Sequence, residues 1–331
     1  MQYFDLVNFK SSLILILIII TNLLILNYRN NFAKLLGIFD NPNERKIHKS
    51  PTPLVGGICI FATIIIALIS IFFENLISTN KFIIYLLFYI IFFTTGLWDD
   101  AKTLSPKIRT LIIVVTIIIL IPFESEFVIK ELTFKSTSRE INFGNFSFLF
   151  TIFCIFSVYN ALNFIDGYNG SATSIIIFWT LFLLIKNYNL LYLYLFFSMI
   201  LIFFYNLKGK VFLGNSGTSI LSIFFSLSLI NDYNIIEDLY AEEILFILLF
   251  PGIDMIRVTT ERIINSKKIY YADKTHFHHY LIKKKINYIW QSIFILTLMP
   301  LILFYITKDI ILTILFSLLV YFGLLIKLRK K

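Results

Sequence analysis

The chain alternates long runs of Ile, Leu and Phe with short polar segments. A membrane-crossing helix needs about 20 apolar residues. Eleven runs approach that length: 12–28, 54–73, 82–98, 108–122, 146–163, 172–186, 189–205, 216–230, 244–260, 288–306 and 310–326. Ile-rich runs can be buried strands in a soluble protein, but eleven of this length exceed what a soluble core can pack. The expected fold is therefore all-α: one polytopic membrane domain over 1–331, with about 11 transmembrane helices. The first run has Lys10 on its flank and no small-residue cleavage site after it, so it reads as an uncleaved span. One segment departs from the pattern. Between 123 and 145, EFVIKELTF and REINFG alternate partly and flank the turn-prone KSTS, which predicts a small external β-hairpin.

Composition agrees. The 331 residues are 58% hydrophobic and 15% charged, where a soluble domain carries about 25% charged residues. An ordinary soluble enzyme is excluded, and so is disorder, which needs low hydrophobicity. The two cysteines, Cys59 and Cys154, sit in apolar runs and offer neither a disulfide framework nor a C-x-x-C metal site. The net charge is +9. With the N-terminus outside, 22 of the 29 basic residues fall in inner loops and 12 of the 20 acids fall outside. The positive-inside rule then places the C-terminus in the cytoplasm. The charge is mostly topology, and its partner is the lipid bilayer rather than nucleic acid.

Polar groups are costly in hydrocarbon and mark function. Here they gather in five places at the predicted cytoplasmic ends, whereas a transporter would carry ionisable groups near the midplane. The first is DNPNERKIHKSPTPLVGG, Asp40 to Gly57, where Arg45, Lys46 and His48 are either membrane anchors or cations for a phosphate. The second is WDDAKTLSPKIR. Asp99 and Asp100 there either pair with Lys102, Lys107 or Arg109, or hold a hard cation or a proton. The third is NALNFIDGYNGSA, with Asn160 and Asn163 on one helix face, then Asp166-Gly167 and Asn169-Gly170. It is a helix stop, or a site built with more polar groups than a stop requires. The fourth, YNLKGKVFLGNSGTS, leads a glycine turn into a helix N-terminus. That is an anion site or a cap by Asn215 or Ser216, and Phe212 is placed to stack on a base. The fifth joins PGIDMIRVTTERI to ADKTHFHHYL. Its His276, His278 and His279 lack zinc spacing and suit phosphate contact better.

In this order these motifs resemble the polyprenyl-phosphate N-acetylhexosamine-1-phosphate transferases, glycosyltransferase family 4, and in particular undecaprenyl-phosphate GlcNAc-1-phosphate transferases. The resemblance covers Asp40 to His279. It is carried by D-x-P-x-x-R-K-x-H-x-x-P-x-P-x-x-G-G from Asp40, the Asp99-Asp100 pair, N-x-x-N-x-x-D-G from Asn160, P-x-x-D-x-x-R from Pro251 and D-x-x-H-x-H-H from Asp273. Two positions depart from the family pattern: Asn169 and Asn215 stand where most relatives carry an acid.

The resemblance implies transfer of N-acetylhexosamine-1-phosphate from a UDP-sugar to undecaprenyl phosphate, with release of UMP, at the cytoplasmic face of a bacterial inner membrane. The product would start cell-surface polysaccharide. It implies Asp99, Asp100 and Asp166 as catalytic carboxylates, and Mg²⁺ (or Mn²⁺) held by Asp100, Asp166, Asn169 and Asn215. Substrate contacts would come from Lys46, His48, Asn163, Asn169, Asn206, Phe212, Arg257, His276, His278 and His279. A homodimer stays open. The two asparagines also keep open an inactive or retuned homologue, ahead of a transporter.

Overall fold

A computed structural model describes residues 9–42, 50–268 and 274–330. Lys46, His48 and Asp273 lie outside the described residues. The elements follow in chain order. First come α1 (Phe9–Asn27) and the short α2 (Arg29–Leu36), then β1 (Phe39–Asp40) paired antiparallel with β2 (Thr52–Pro53). Next are α3 (Gly56–Phe73), α4 (Thr79–Lys102) and α5 (Pro106–Leu120), and the hairpin β3 (Glu131–Phe134) and β4 (Arg139–Asn142). Then come α6 (Ser147–Ile165), α7 (Ser171–Lys186), α8 (Leu190–Leu207), α9 (Gly214–Ile235) and α10 (Ala241–Ile264). The short α11 (Phe277–Lys283), α12 (Ile289–Thr307) and α13 (Ile310–Arg329) close the chain.

The protein is an all-α polytopic membrane protein. Each of the eleven apolar runs is a long helix. Among the described residues eight helical stretches are long and apolar enough to cross a bilayer by length and composition. The other three are α7, which has only 16 residues, and α9 and α10, which carry too many polar side chains. Helix starts follow the caps: Ser78 accepts from the Lys81 N–H, and Ser105 from the Ile108 N–H ahead of Pro106. The predicted hairpin pairs Glu131 with Asn142 through Phe134 with Arg139.

The centre of the bundle is α9, sixteen of whose 22 residues are buried. Its Ser, Thr and Gly side chains are small enough for neighbouring backbones to come close. Gly96 of α4 shows how close: a Cβ there would stand 2.4 Å from the Asn215 carbonyl oxygen. Elsewhere a buried polar knot fastens α1, α3 and α8. Asn22 Nδ2 donates to Thr63 Oγ1 at 2.9 Å and to Ser198 Oγ at 2.7 Å. Pro251 interrupts α10. It has no N–H for the carbonyl four residues back, and that Ile247 oxygen instead accepts from Trp179 Nε1 at 3.0 Å.

The two ends of the bundle differ. At one, the end of α4, the start of α5, the end of α6, the start of α9 and the end of α10 converge. At the other, the hairpin is tied down by Tyr233, whose hydroxyl accepts from Thr133 N–H at 2.6 Å, and by Glu242, which accepts from Ser136 N–H at 3.0 Å.

Candidate active site

Asp99 and Asp100 end α4 and face different partners. Asp99 is 7% exposed. Its Oδ1 accepts from the Leu104 N–H and its Oδ2 from Arg109 Nη1, both at 2.6 Å. Arg109 also reaches Asn215 Oδ1 at 3.4 Å, and Asn163 Nδ2 donates to the same oxygen at 3.1 Å. Asp100 caps α9 from outside that helix. Its Oδ1 accepts from the Asn215 N–H at 2.7 Å, and its Oδ2 accepts from Ser216 N–H at 3.0 Å and Ser216 Oγ at 2.7 Å. No side chain at α9's own N-cap, Leu213, does this work. The free N–H groups and the positive helix end stabilise the carboxylate. Ionised carboxylates have about four acceptor positions, so capping leaves Asp100 capacity for a further ligand.

Asp166 follows the last turn of α6 and is half-buried. Among the described residues no donor bonds its carboxylate. Burial, with the charges of Asp100 and Asp40, pushes it up to about 7. The loop after it meets α11: a Cβ on Gly167 would stand 2.1 Å from His278 Nε2. Only a glycine lets that imidazole approach. His278 is buried, and its Nε2 has no hydrogen-bond partner among the described residues. Burial and the neighbouring histidines hold its pKa well below the usual range, so the ring is neutral.

His276 is oriented from behind. Its Nδ1 lies 3.1 Å from Asp254 Oδ2, and its Nε2 lies 3.5 Å from Arg262 Nη2. Asp254 is held in turn by Arg257 Nη2 at 2.7 Å, Tyr321 OH at 2.6 Å and Phe277 N–H at 3.2 Å. The network assigns the Nδ1 proton to the Asp254 side.

Some of these groups form the polar end of a cleft of about 1230 Å³. Arg109, Asn163, Asp166, Arg262 and the three histidines line that end, and apolar side chains of α5, α6 and α10, such as Leu111, Phe156 and Ile256, line the rest. The arrangement can seat an anionic head group at its end and an apolar chain along its walls.

The sequence matches the profile of Glycosyl transferase family 4 over residues 82–232. The undecaprenyl-phosphate alpha-N-acetylglucosaminyl 1-phosphate transferase of Thermotoga maritima is 30% identical over 267 residues, which cover 80% of this chain and 79% of the relative. The chain belongs to glycosyl transferase family 4. Further relatives are a probable undecaprenyl-phosphate N-acetylglucosaminyl 1-phosphate transferase of Bacillus subtilis and the corresponding transferase of Escherichia coli K12. The first is 26% identical (80% of this chain, 75% of the relative) and the second 24% (81% and 76%). This family 4 member is a phosphotransferase embedded in the membrane.

Of the residues singled out in the sequence, Asn163, Asp166 and the three histidines line the cleft, while Asp99, Asp100 and Asn215 lie together behind Arg109 and Asn163. Four expected substrate contacts are placed differently. Arg257 is spent on Asp254, Glu261, the Thr275 carbonyl and Tyr321, so it braces the Asp254–His276 pair rather than facing the cleft. Asn206 is buried; its Oδ1 accepts from Gly170 N–H at 2.7 Å and its Nδ2 donates to the Val211 carbonyl at 3.0 Å, which pins two site loops together. Phe212 is half-buried, and its backbone bonds Pro53 and Gly56. Asn169 lies against the Gly209 turn and does not line the cleft. Two residues that sequence reasoning did not place in the site belong there: Arg109 and Arg262, both counted among the topology charges. The run of Arg109 ten residues after Asp99 was the available signal.

Among the described residues no three His, Cys, Asp or Glu side chains group as a protein metal cage. Mg²⁺ is usually held by one or two carboxylates together with substrate phosphates. Asp100 and Asp166 are a hard-oxygen pair of that kind; burial first, and then the charges of Asp100 and Asp40, push Asp166 up, and a cation there would favour its ionised form. The residues fit a cation shared with substrate. Asn215 fits less well as a ligand, because its oxygen already faces the Arg109 guanidinium and the Asn163 amide.

Proposed function

We propose that the protein transfers N-acetylhexosamine-1-phosphate from a UDP-sugar to undecaprenyl phosphate, releasing UMP. The reaction takes place at the cytoplasmic face of a bacterial inner membrane and starts a cell-surface polysaccharide. The observation that carries this reading is the cleft: largely apolar walls that end in Arg109, Arg262, His276 and Asp166. An amphiphile with a phosphate head fits that division, and the family relatives are named for such a carrier.

An oxygen of the lipid phosphate attacks the β-phosphorus of the UDP-sugar. The bond from that phosphorus to the α-phosphate oxygen breaks, and UMP leaves with its electron pair. Such a transfer needs positioning and charge neutralisation above all. Arg109, held by Asp99, presents a fixed guanidinium to the lipid phosphate. Arg262 faces the same cleft from α10 and takes up phosphate charge, and His276, with its Nδ1 on Asp254 and its Nε2 beside Arg262 Nη2, positions that guanidinium. Neutral His278 donates or accepts at Nε2 without adding charge. Asp100 and Asp166 would hold Mg²⁺, which when bound neutralises the diphosphate. The sidedness follows from the basic inner loops. Purified protein, undecaprenyl phosphate, Mg²⁺ and a panel of UDP-N-acetylhexosamines should yield a lipid-linked sugar diphosphate with at least one donor. A panel yielding no lipid product would refute the reading.

A further inference from the structure

The last helix, α13, buries one narrow line of side chains. Thr313, Ser317, Tyr321 and Leu325 are buried, each four positions from the next, which puts them in one row on the helix. Much of the rest is apolar and exposed, as in Leu315, Leu319 and Phe322. Close apolar packing suffices to hold a helix in a bilayer, yet this row carries a phenol.

Tyr321 is 2% exposed. Its ring packs against Phe250 of α10 and Phe277 of α11, with centroids 5.9 Å and 5.3 Å away. Its hydroxyl donates to Asp254 Oδ1 at 2.6 Å and accepts from Arg257 Nε at 2.7 Å. Arg257 Nη2 and the Phe277 N–H donate to the same Oδ1. Three donors on Oδ1 fix the plane of the carboxylate and leave Oδ2 to the His276 imidazole. His276 Nε2 then stands beside Arg262 Nη2, and Arg262 lines the cleft. Without the Tyr321 hydroxyl, Arg257 Nε would be a buried donor with no acceptor, which is costly. The guanidinium and the Asp254 carboxylate would turn to relieve it, and His276 would turn with them.

We propose that Tyr321 is a positioning residue for phosphoryl transfer: from α13 it sets Asp254, through Asp254 it sets His276, and through His276 it sets the guanidinium of Arg262. The proposal rests on the reading of Arg262 as a phosphate contact. It makes α13 part of the working site as well as an anchor in the lipid.

The test measures kcat/KM for the UDP-sugar, at saturating undecaprenyl phosphate, in folded Tyr321→Phe, which removes one oxygen and keeps the ring. The value should fall about tenfold, the scale of one hydrogen bond to a charged group. In a His276→Ala background the same substitution should change it by less than about twofold, because both residues act through one chain of contacts. Arg329→Ala is the control. It breaks a bond from α13 to Glu261 without touching Asp254, and should leave kcat/KM within about twofold of wild type, as loss of an exposed ion pair does. An equal fall from Tyr321→Phe in both backgrounds, no fall in either, or an equal fall in Arg329→Ala would overturn the proposal and leave the hydroxyl as a fastening for α13. A wild type that transfers no sugar phosphate would remove the reading of the reaction instead. If any variant fails to fold or turn over, 3-fluorotyrosine at position 321 decides, since it keeps the ring's shape and makes the phenol a stronger donor to Asp254. The Nδ1 resonance of His276 in protein labelled with ¹⁵N-histidine should then move from its wild-type position. An unmoved resonance would overturn the proposal.

Discussion

The carboxylate of Asp100 belongs to α4, yet it closes the N-terminus of α9 through the Asn215 and Ser216 N–H groups, at 2.7 Å and 3.0 Å. One side chain thus fixes the distance between the acidic end of α4 and the asparagine turn that begins the central helix. A residue given a purely chemical role by its position is also part of the scaffold that sets the site.

That double role predicts a stability effect. Asp100→Asn puts an amide N–H₂ or a weaker oxygen against two backbone donors and should lower stability by about 1–2 kcal/mol, the range for losing a helix cap. Thermal unfolding in detergent should show a lowered Tm alongside lost turnover. A Tm equal to wild type would leave Asp100 outside the scaffold.

Arg109 and Asp99 should behave as a unit. Arg109→Ala removes the guanidinium that faces the cleft and should reduce kcat/KM by about 100-fold or more, the scale for losing a preorganised charge-stabilising group. Asp99→Asn, which frees Arg109 to move, should reduce it as well. The double variant should be scarcely worse than the worse single one, since the two share one interaction. Additive losses would separate their roles.

Asn215→Asp places a further carboxylate within the Asp100–Asp166 neighbourhood. Even at a high effective dielectric this should favour a divalent cation by about 1 kcal/mol or more. The half-saturating Mg²⁺ concentration for activity should therefore fall at least about fivefold. An unchanged titration would restrict Asn215 to its bonds with Asn163 and Arg109.

Asp166 gives the cation a pH signature. Its folded-state pKa, about 7, lies above the ordinary carboxylate value, so the metal-free protein carries an extra proton there. That group's contribution is fully present at low pH and is lost as pH rises toward 7. A bound cation needs the ionised form and must expel the proton below that pH. The rise in Tm on adding Mg²⁺ should be larger at pH 8 than at pH 6. Equal shifts at both would contradict a metal contact at Asp166.

Much of this was legible in the sequence. The eleven long helices follow from run length alone, and the hairpin from alternation around KSTS, because burial in a bilayer imposes strict apolar length. The short α2 and α11 escaped, since amphipathic surface turns leave no long run. The clustering of the acid pair, Asp166 and the histidines at one end of the bundle was legible as polar groups too numerous for caps. Arg257 and Arg262 were not separable, because both end the same helix. Only the fold shows that Tyr321, 64 residues on, joins Asp254 in consuming Arg257. Asn206 misled for a similar reason: its buried amide serves two backbones that are distant in sequence.

The most direct test follows the β-phosphorus. UDP-N-acetylglucosamine radiolabelled at that atom should be incubated with the purified protein, undecaprenyl phosphate and Mg²⁺. Sugar-1-phosphate transfer predicts the label in the lipid fraction, with unlabelled UMP released in equal amount. Label recovered in free UDP, with a lipid that carries sugar but no label, would mean transfer of sugar alone and would contradict phosphoryl transfer at this site.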